Sequence, residues 1–465
     1  MENQQAGLEA DNQQPVRVKL PNQAANVSCR FEKLLYNTYR KNEVIVFFEK
    51  LPTAEEIEKR KAAFKYFGYD PGKITVRRCD NCNIPVLLFQ AENIDTVINT
   101  EGVVAGSGPN TQTVGECSLN FFNYLPFIKT RMGRYDGKDD YVDPAKQKIT
   151  VAVLDTGLDP RLVDPQYTWK GTSTKETSEC YRDVNTGWNF LNDSPDFFDD
   201  NESKHGSVVS QYIINQFKRS PKNRVEIMAL KTHDENGVGD LFGIICAIHF
   251  AMAKGADIIN ASWGFYYYHE TPMPYLQNLI MRTLKERKIL FVTAAGNKIE
   301  AQDVVANQIH YTQHQTTLTE DQLRNLRIHN FYPAVLSRQE NPVITVTTAD
   351  NQTVSATQNY SSVLADLAVM RDKLSDDCIF MQFQVPFRGS KEFVSGSSFA
   401  TAIATGIIGA FCDPDLIRSV DKSRIIQFIH DLPLPQGGER LLTFNTNLAR
   451  KYIVKGALTR NWGRI

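Results

Sequence analysis

Excess charge is almost absent: 52 Lys and Arg stand against 53 Asp and Glu in 465 residues, a net of −1. Without a basic surplus there is no electrostatic footprint for nucleic acid or for an anionic membrane surface. No apolar run reaches about 18 residues, so no segment reads as a membrane-spanning helix. The start, MENQQAGLEADNQQPVRVKLPNQ, has no apolar stretch behind basic residues and does not read as a secretory signal. Cysteine is sparse, eight in the whole chain and widely spaced, which excludes the dense disulfide framework of a small secreted domain. These absences lead to the expectation of a cytoplasmic protein with reduced thiols. What is present, 42% hydrophobic and 23% charged residues, is the balance of a globular chain. Its length suits a large domain plus a smaller one.

Residues 1–28 carry no hydrophobic period and read as a flexible arm. EVIVFFEK (43–50) alternates like a strand, and TAEEIEKRKAAFKYFG (53–68) opens on a Thr cap and stops at Gly. KITVRRC and IPVLLFQ flank the turn Asp80–Asn81 and read as a hairpin. AENIDTVINTE (91–101) reads as a helix and GVVAGS (102–107) as a last strand. The order β-α-β-β-α-β is that of a ferredoxin-like split βαβ unit, placed at 29–112, with a linker over 108–146. From 148 onward, strand patterns such as KITVAVLD, EIMALKT, KILFVTAAGN and PVITVTTAD alternate with helical ones. That alternation predicts a doubly wound, mostly parallel α/β sheet within a second domain at 113–465.

Three segments place a reactive residue type beside small ones. In VAVLDTGLDP (151–160), Asp155 ends a buried strand, where open α/β folds put their sites; alone it reads equally as a turn cap. In KHGSVVSQYI (204–213), His205 precedes Gly206 at a helix start; alone it is an ordinary surface histidine. In VSGSSFATAIATGIIGAF (394–411), Gly396, Ser397, Ser398, Ala400, Ala402, Ala404 and Gly406 open a long apolar helix; alone, Ser397 and Ser398 are caps. Together they change meaning. A serine hydroxyl becomes a nucleophile only when a base takes its proton, and the base needs a carboxylate to fix its tautomer. In FVTAAGNKIE (291–300), Asn297 could donate to an oxyanion together with the Ser398 N–H.

DTG, HGS, SWG, AAGN and GSSFAT, in that order, resemble the motifs of the subtilase (subtilisin-like, S8) serine peptidases. The resemblance covers about residues 146–412 and implies a catalytic triad of Asp155, His205 and Ser398, with Asn297 as oxyanion donor. It also implies that Gly237, Val238 and Gly239, with Ser262, Trp263 and Gly264, pair with an extended peptide or protein substrate. Residues 43–107 resemble the inhibitory propeptide of many subtilases, which implies a zymogen whose own propeptide is a partner, cut at about 103–120. Around the nucleophile the chain departs from the family, which usually writes Thr-Ser-Met-Ala-x-Pro; Val208 stands where it often has a second histidine. Residues 298–331 are longer than a minimal subtilase needs and should border the specificity pocket.

No cofactor is expected for the reaction. Calcium could be held by the loop SPDFFDDNES (194–203) through Asp196, Asp199, Asp200 and Glu202, although a solvated acidic loop is the simpler reading. No metal ligand set is assigned. Cys79 and Cys82 read as hairpin thiols able to face each other, and Cys246 and Cys412 as core. The expected activity is limited, regulatory endoproteolysis inside the cell. The competing expectation is a retired peptidase fold acting as a binding scaffold.

Overall fold

The computed structural model describes residues 39–79, 82–97, 117–125, 142–171, 180, 184, 186–267, 274–349, 357–361, 363–374, 381–387, 390–432 and 441–443. The arm expected at 1–28 and the strand expected at 102–107 lie outside them. Strand β1 (Tyr39–Phe47) pairs antiparallel with β3 (Val86–Gln90), which pairs with β2 (Thr75–Arg78) as the hairpin pattern requires. Between β1 and β2 runs the helix Ala54–Ala63. Thr53 caps it by accepting from the Glu56 N–H, while the Glu56 carboxylate accepts from Thr53 N–H. A 3₁₀ turn then ends it at Gly68, whose φ of +88° suits glycine.

The fourth strand of this sheet is β4 (Cys117–Tyr124), on the free edge of β1, which gives the split-βαβ order β2-β3-β1-β4. It lies past residue 112, where the small domain was expected to end, and inside the stretch read as a linker. Its period-2 signal is blurred because both faces are covered, and even Asn120 and Asn123 are buried. Asn120 satisfies itself by donating to Glu43 Oε2 (2.7 Å) and accepting from the Phe242 N–H (3.0 Å).

The second sheet begins with β5 (Gln147–Asp155), β6 (Trp188–Asn189) and β7 (Asn223–Lys231). A short strand, β8 (Val238–Asp240), stands apart from it. The sheet continues through β9 (Ile258–Ala261) and, past the short β10 (Phe265–Tyr266), through β11 (Leu290–Ala294). After β12 (Phe331–Tyr332) come β13 (Val343–Ala349) and β14 (Leu367–Met370). A small antiparallel sheet of β15 (Lys373–Leu374), β16 (Met381–Gln384) and β17 (Phe393–Ser395) precedes the helix Ser397–Phe411, and β18 (Leu441–Thr443) closes the described chain.

The spatial order is β18-β14-β13-β11-β9-β5-β7-β6. All pairings are parallel except β18 on β14. Residues of β5 alternate between two cores. Ile149, Val151 and Val153 meet the helices His205–Phe217 and Ser397–Phe411, whereas Ala152 and Leu154 meet the helix Leu241–Ala253. This is the doubly wound α/β arrangement read from the sequence. β5 lies between β7 and β9, so the topology switches there and opens a crevice at its carboxyl end. Among the described residues no helix is long and apolar enough to cross a membrane.

The small sheet lies against the large unit through a shared apolar core. β4 adds antiparallel to β8, with Phe122 opposite Asp240, Asn123 opposite Gly239 and Tyr124 opposite Val238, and the Leu125 N–H continues to the Gly237 carbonyl at 2.8 Å. Phe47 stacks on Tyr275 at 4.4 Å and Phe121 on Phe265 at 5.4 Å. Among the described residues one covalent link joins the two units, a disulfide between Cys82 and Cys180, 98 residues apart. The expectation of reduced thiols throughout is therefore corrected, and Cys82 is not a plain hairpin thiol. The Cys79 thiol instead hydrogen-bonds Cys246, whose own thiol burial pushes well above its usual range. Cys246 and Cys412 are buried, as expected.

Candidate active site

Asp155 is the last residue of β5 and is fully buried at the crevice. Its backbone carbonyl accepts from the N–H of Thr232 (2.8 Å) and His233 (3.2 Å), which ties the strand end to the exit of β7. His205 is the first residue of its helix, and its Nδ1 lies 2.8 and 2.9 Å from the two carboxylate oxygens of Asp155. Gly206 permits this approach: a Cβ there would stand 3.0 Å from Gly157 N and 3.2 Å from Asp155 Cβ. The far nitrogen of the ring, Nε2, is buried without a protein partner.

The start of this helix is held by a carboxylate from the acidic loop. Asp199 accepts from the Thr156 hydroxyl (2.8 Å), the Ser207 hydroxyl (2.7 Å) and the Ser207 N–H (3.0 Å), while Thr156 Oγ1 accepts from the Gly206 N–H (2.9 Å). Burial pushes the Asp199 carboxyl above the usual range, and the hydrogen bonds from Ser207 and Thr156 offset part of that. Its neighbours in the acidic loop diverge. Asp200 pairs with Lys231, the Asp196 carboxylate accepts from the Phe198 N–H, and Glu202 is exposed. Among the described residues no three His, Cys, Asp or Glu side chains converge as metal ligands.

Ser398 is the second residue of the helix Ser397–Phe411, which starts at Gly396 with φ +147°, a conformation open to glycine. Its Oγ donates to the Ser262 carbonyl at 2.9 Å, and the Ser262 hydroxyl donates to the Ser398 carbonyl at 3.0 Å. The next residue, Phe399, has its ring 5.3 Å from that of His205, so the two helices bring serine and histidine to one crevice. The hydroxyl is given to Ser262 and not to His205. Asn297 follows β11, and its side-chain oxygen accepts from Ser397 N–H (2.9 Å) and Ser397 Oγ (3.1 Å). That leaves the Asn297 NH₂ as the end free to donate beside Ser398.

Of the residues expected to contact an extended peptide, Val238 and Gly239 lie in β8 and Gly237 in the turn before it. Ser262 and Gly264 follow β9, and the Trp263 side chain is buried at 1% exposure. Sequence reasoning missed His233. It is fully buried, its Nδ1 meets Thr232 Oγ1 at 2.9 Å, and its Nε2 has no partner. Burial drives its pKa down to about 4. Gly239 crosses close above it, since a Cβ there would lie 2.9 Å from His233 Cδ2. The signal was its place immediately after a buried strand.

Comparison with known proteins adds to this geometry. Residues 146–413, more than half of the chain, match the Subtilase family (Peptidase_S8). The thermophilic serine proteinase of Bacillus sp. (strain AK1) is 26% identical over 290 residues, which is 60% of this chain and 64% of that protein. The chain thus covers less than two thirds of that relative. Among solved structures, a lanthipeptide protease shows 18% identity and a TM-score of 0.41, covering 64% of this chain and 84% of its own. An epidermin leader peptide processing serine protease from Staphylococcus aureus shows 15% identity and a TM-score of 0.49, covering 86% and 95%.

Proposed function

The chain belongs to the subtilase family, and from that premise we propose that it is a serine endopeptidase made as a zymogen. The observation that carries the reading is the His205 ring, fixed through Nδ1 to both oxygens of Asp155 and presenting a buried, unbonded Nε2 beside the Ser398 helix. With Nδ1 as the donor, Nε2 is the basic nitrogen. Rotation of the Ser398 hydroxyl from Ser262 to Nε2 gives the attacking pair. Ser398 Oγ adds to the peptide carbonyl as Nε2 takes its proton, the Asn297 NH₂ and the Ser398 N–H hold the oxyanion, and His205 returns the proton to the departing amine. Water then cleaves the acyl-enzyme by the same route, and no cofactor enters.

The N-terminal unit is proposed as an inhibitory propeptide. β4 lies antiparallel on β8 as an extended substrate strand would, which supports occupation of the groove from within. Since residues 117–124 belong to that strand, we place the processing cut downstream of it, between residues 126 and 141, and not at 103–120. The Cys82–Cys180 bond supports folding in an oxidising compartment over the reduced cytoplasm. One observation favours a retired scaffold, namely that Ser398 donates to Ser262 and leaves His205 Nε2 unbonded. A fluorophosphonate probe separates the two. Labelling that disappears in Ser398→Ala is expected, and an unlabelled, fully processed protein would leave the scaffold standing. Intact mass should show a new N-terminus between residues 126 and 141 in the wild type and its loss in Ser398→Ala.

A further inference from the structure

We propose that the pocket for the side chain just before the scissile bond is closed by the ring of Phe331, so that the enzyme cuts after glycine, alanine or serine and rejects large residues. This rests on the endopeptidase reading above. A carbonyl attacked by Ser398 must lie between its Oγ and the Asn297 amide, which are linked through Ser397. The N–H of that same substrate residue needs an acceptor, and the Ser262 carbonyl stands 2.9 Å from Ser398 Oγ. Its Cα is then held between the backbone that follows Ser262 and the backbone that precedes Asn297. The side chain has to enter the gap between those two segments, and each presents a glycine there, Gly264 and Gly296. Phe331 already fills that gap. A methyl group built on Gly264 would meet Phe331 Cζ at 2.5 Å, and one on Gly296 would meet Cγ and Cδ1 at 2.8 Å each. One edge of the ring therefore runs along both glycines.

The ring is held in place. Phe331 lies opposite Tyr266 in the two-stranded ribbon of β12 and β10, with the two rings edge to face at 5.0 Å. Tyr266 donates its hydroxyl to the Asn297 carbonyl (2.9 Å) and stacks on His329 at 4.0 Å. Phe331 itself is 5% exposed. A ring paired and backed in this way does not swing aside to admit a second large side chain, because close-packed interiors resist added volume.

The test is kcat/KM of the full chain after its processing on peptides that differ only in the residue before the cut, with fluorophosphonate labelling of Ser398 run in parallel. A single methylene in a specificity pocket is worth roughly 10–200-fold, so alanine should exceed leucine and phenylalanine by at least about 100-fold. Phe331→Ala should raise the Leu-to-Ala ratio by at least about tenfold. That ratio is independent of the folded fraction, so a destabilised variant still reports. If Phe331→Ala gives no soluble protein, Phe331→Leu should move the ratio in the same direction. Equal cleavage after alanine and leucine by the wild type, or an unmoved ratio in the variants, overturns the proposal. Labelling of Ser398 without a small-residue preference defeats the pocket alone, whereas neither labelling nor cleavage defeats the peptidase reading and the pocket with it.

Discussion

Asn297 spends its carbonyl on Ser397, and this polarity leaves its NH₂ as the donor for the proposed oxyanion. A donor aimed at charge that forms only in the transition state acts on turnover more than on binding. Asn297→Ala should therefore lower kcat by roughly 10²–10³ with a small change in KM, checked by steady-state kinetics on a peptide amide. His233 predicts a pH effect at the same scale. Its folded pKa of about 4 lies below the usual histidine value near 6.5, so the unfolded chain binds the extra proton between those limits. Stability attributable to His233 is present above pH ~6.5 and is lost as pH falls toward ~4, on the order of 2–3 kcal/mol. Thermal melts from pH 7.5 to 4 should show that slope, and His233→Gln should reduce it, leaving the share that buried His249 and His329 add with the same sign.

At the scale of elements, the helix Ser397–Phe411 places Ser398 by passing close to the helix His205–Phe217. The contact is made at glycines. A Cβ on Gly406 would lie 2.9 Å from the Ile213 carbonyl, and one on Gly409 would lie 2.5 Å from Phe217 Cζ. Gly406→Val should push the two helices apart and lower stability by about 1–3 kcal/mol, read as a lower urea midpoint at unchanged slope. Peptidase activity should fall further than the folded fraction does, because serine and histidine sit on opposite sides of that contact. The stripe of small residues was visible in the sequence, since it is local. Strand β4 was not, because a strand covered on both faces loses the alternation that marks a half-exposed one.

Across the whole molecule, Cys82 and Cys180 join the small unit to the large one around the stretch where processing is proposed. Cutting one peptide bond between residues 126 and 141 therefore leaves the two parts covalently connected. With a site-specific protease sequence inserted there, the cut chain should run as one species under non-reducing denaturing electrophoresis and as two after reduction. Cys82→Ser should give two species in both when Cys29 and Cys378, which lie outside the described residues, are also replaced by serine. Intact-mass measurement distinguishes a cut, tethered chain from an uncut one.

What the sequence determined by itself was whatever neighbouring residues encode together: the strand that ends in Asp155, the helix that starts at His205, the glycine-led helix that carries Ser398, and the capped helix after Thr53. Those patterns sufficed for the α/β class, for the family resemblance and for the order of the proposed catalytic groups. The tertiary structure alone decided which distant groups meet. It turned Asp199 inward to hold the His205 helix, paired Cys82 with Cys180 in place of Cys79, laid β4 on β8, and set Phe331 against Gly264 and Gly296. Each of these depends on contacts between segments tens to hundreds of residues apart, and such contacts leave no periodic trace in the local pattern.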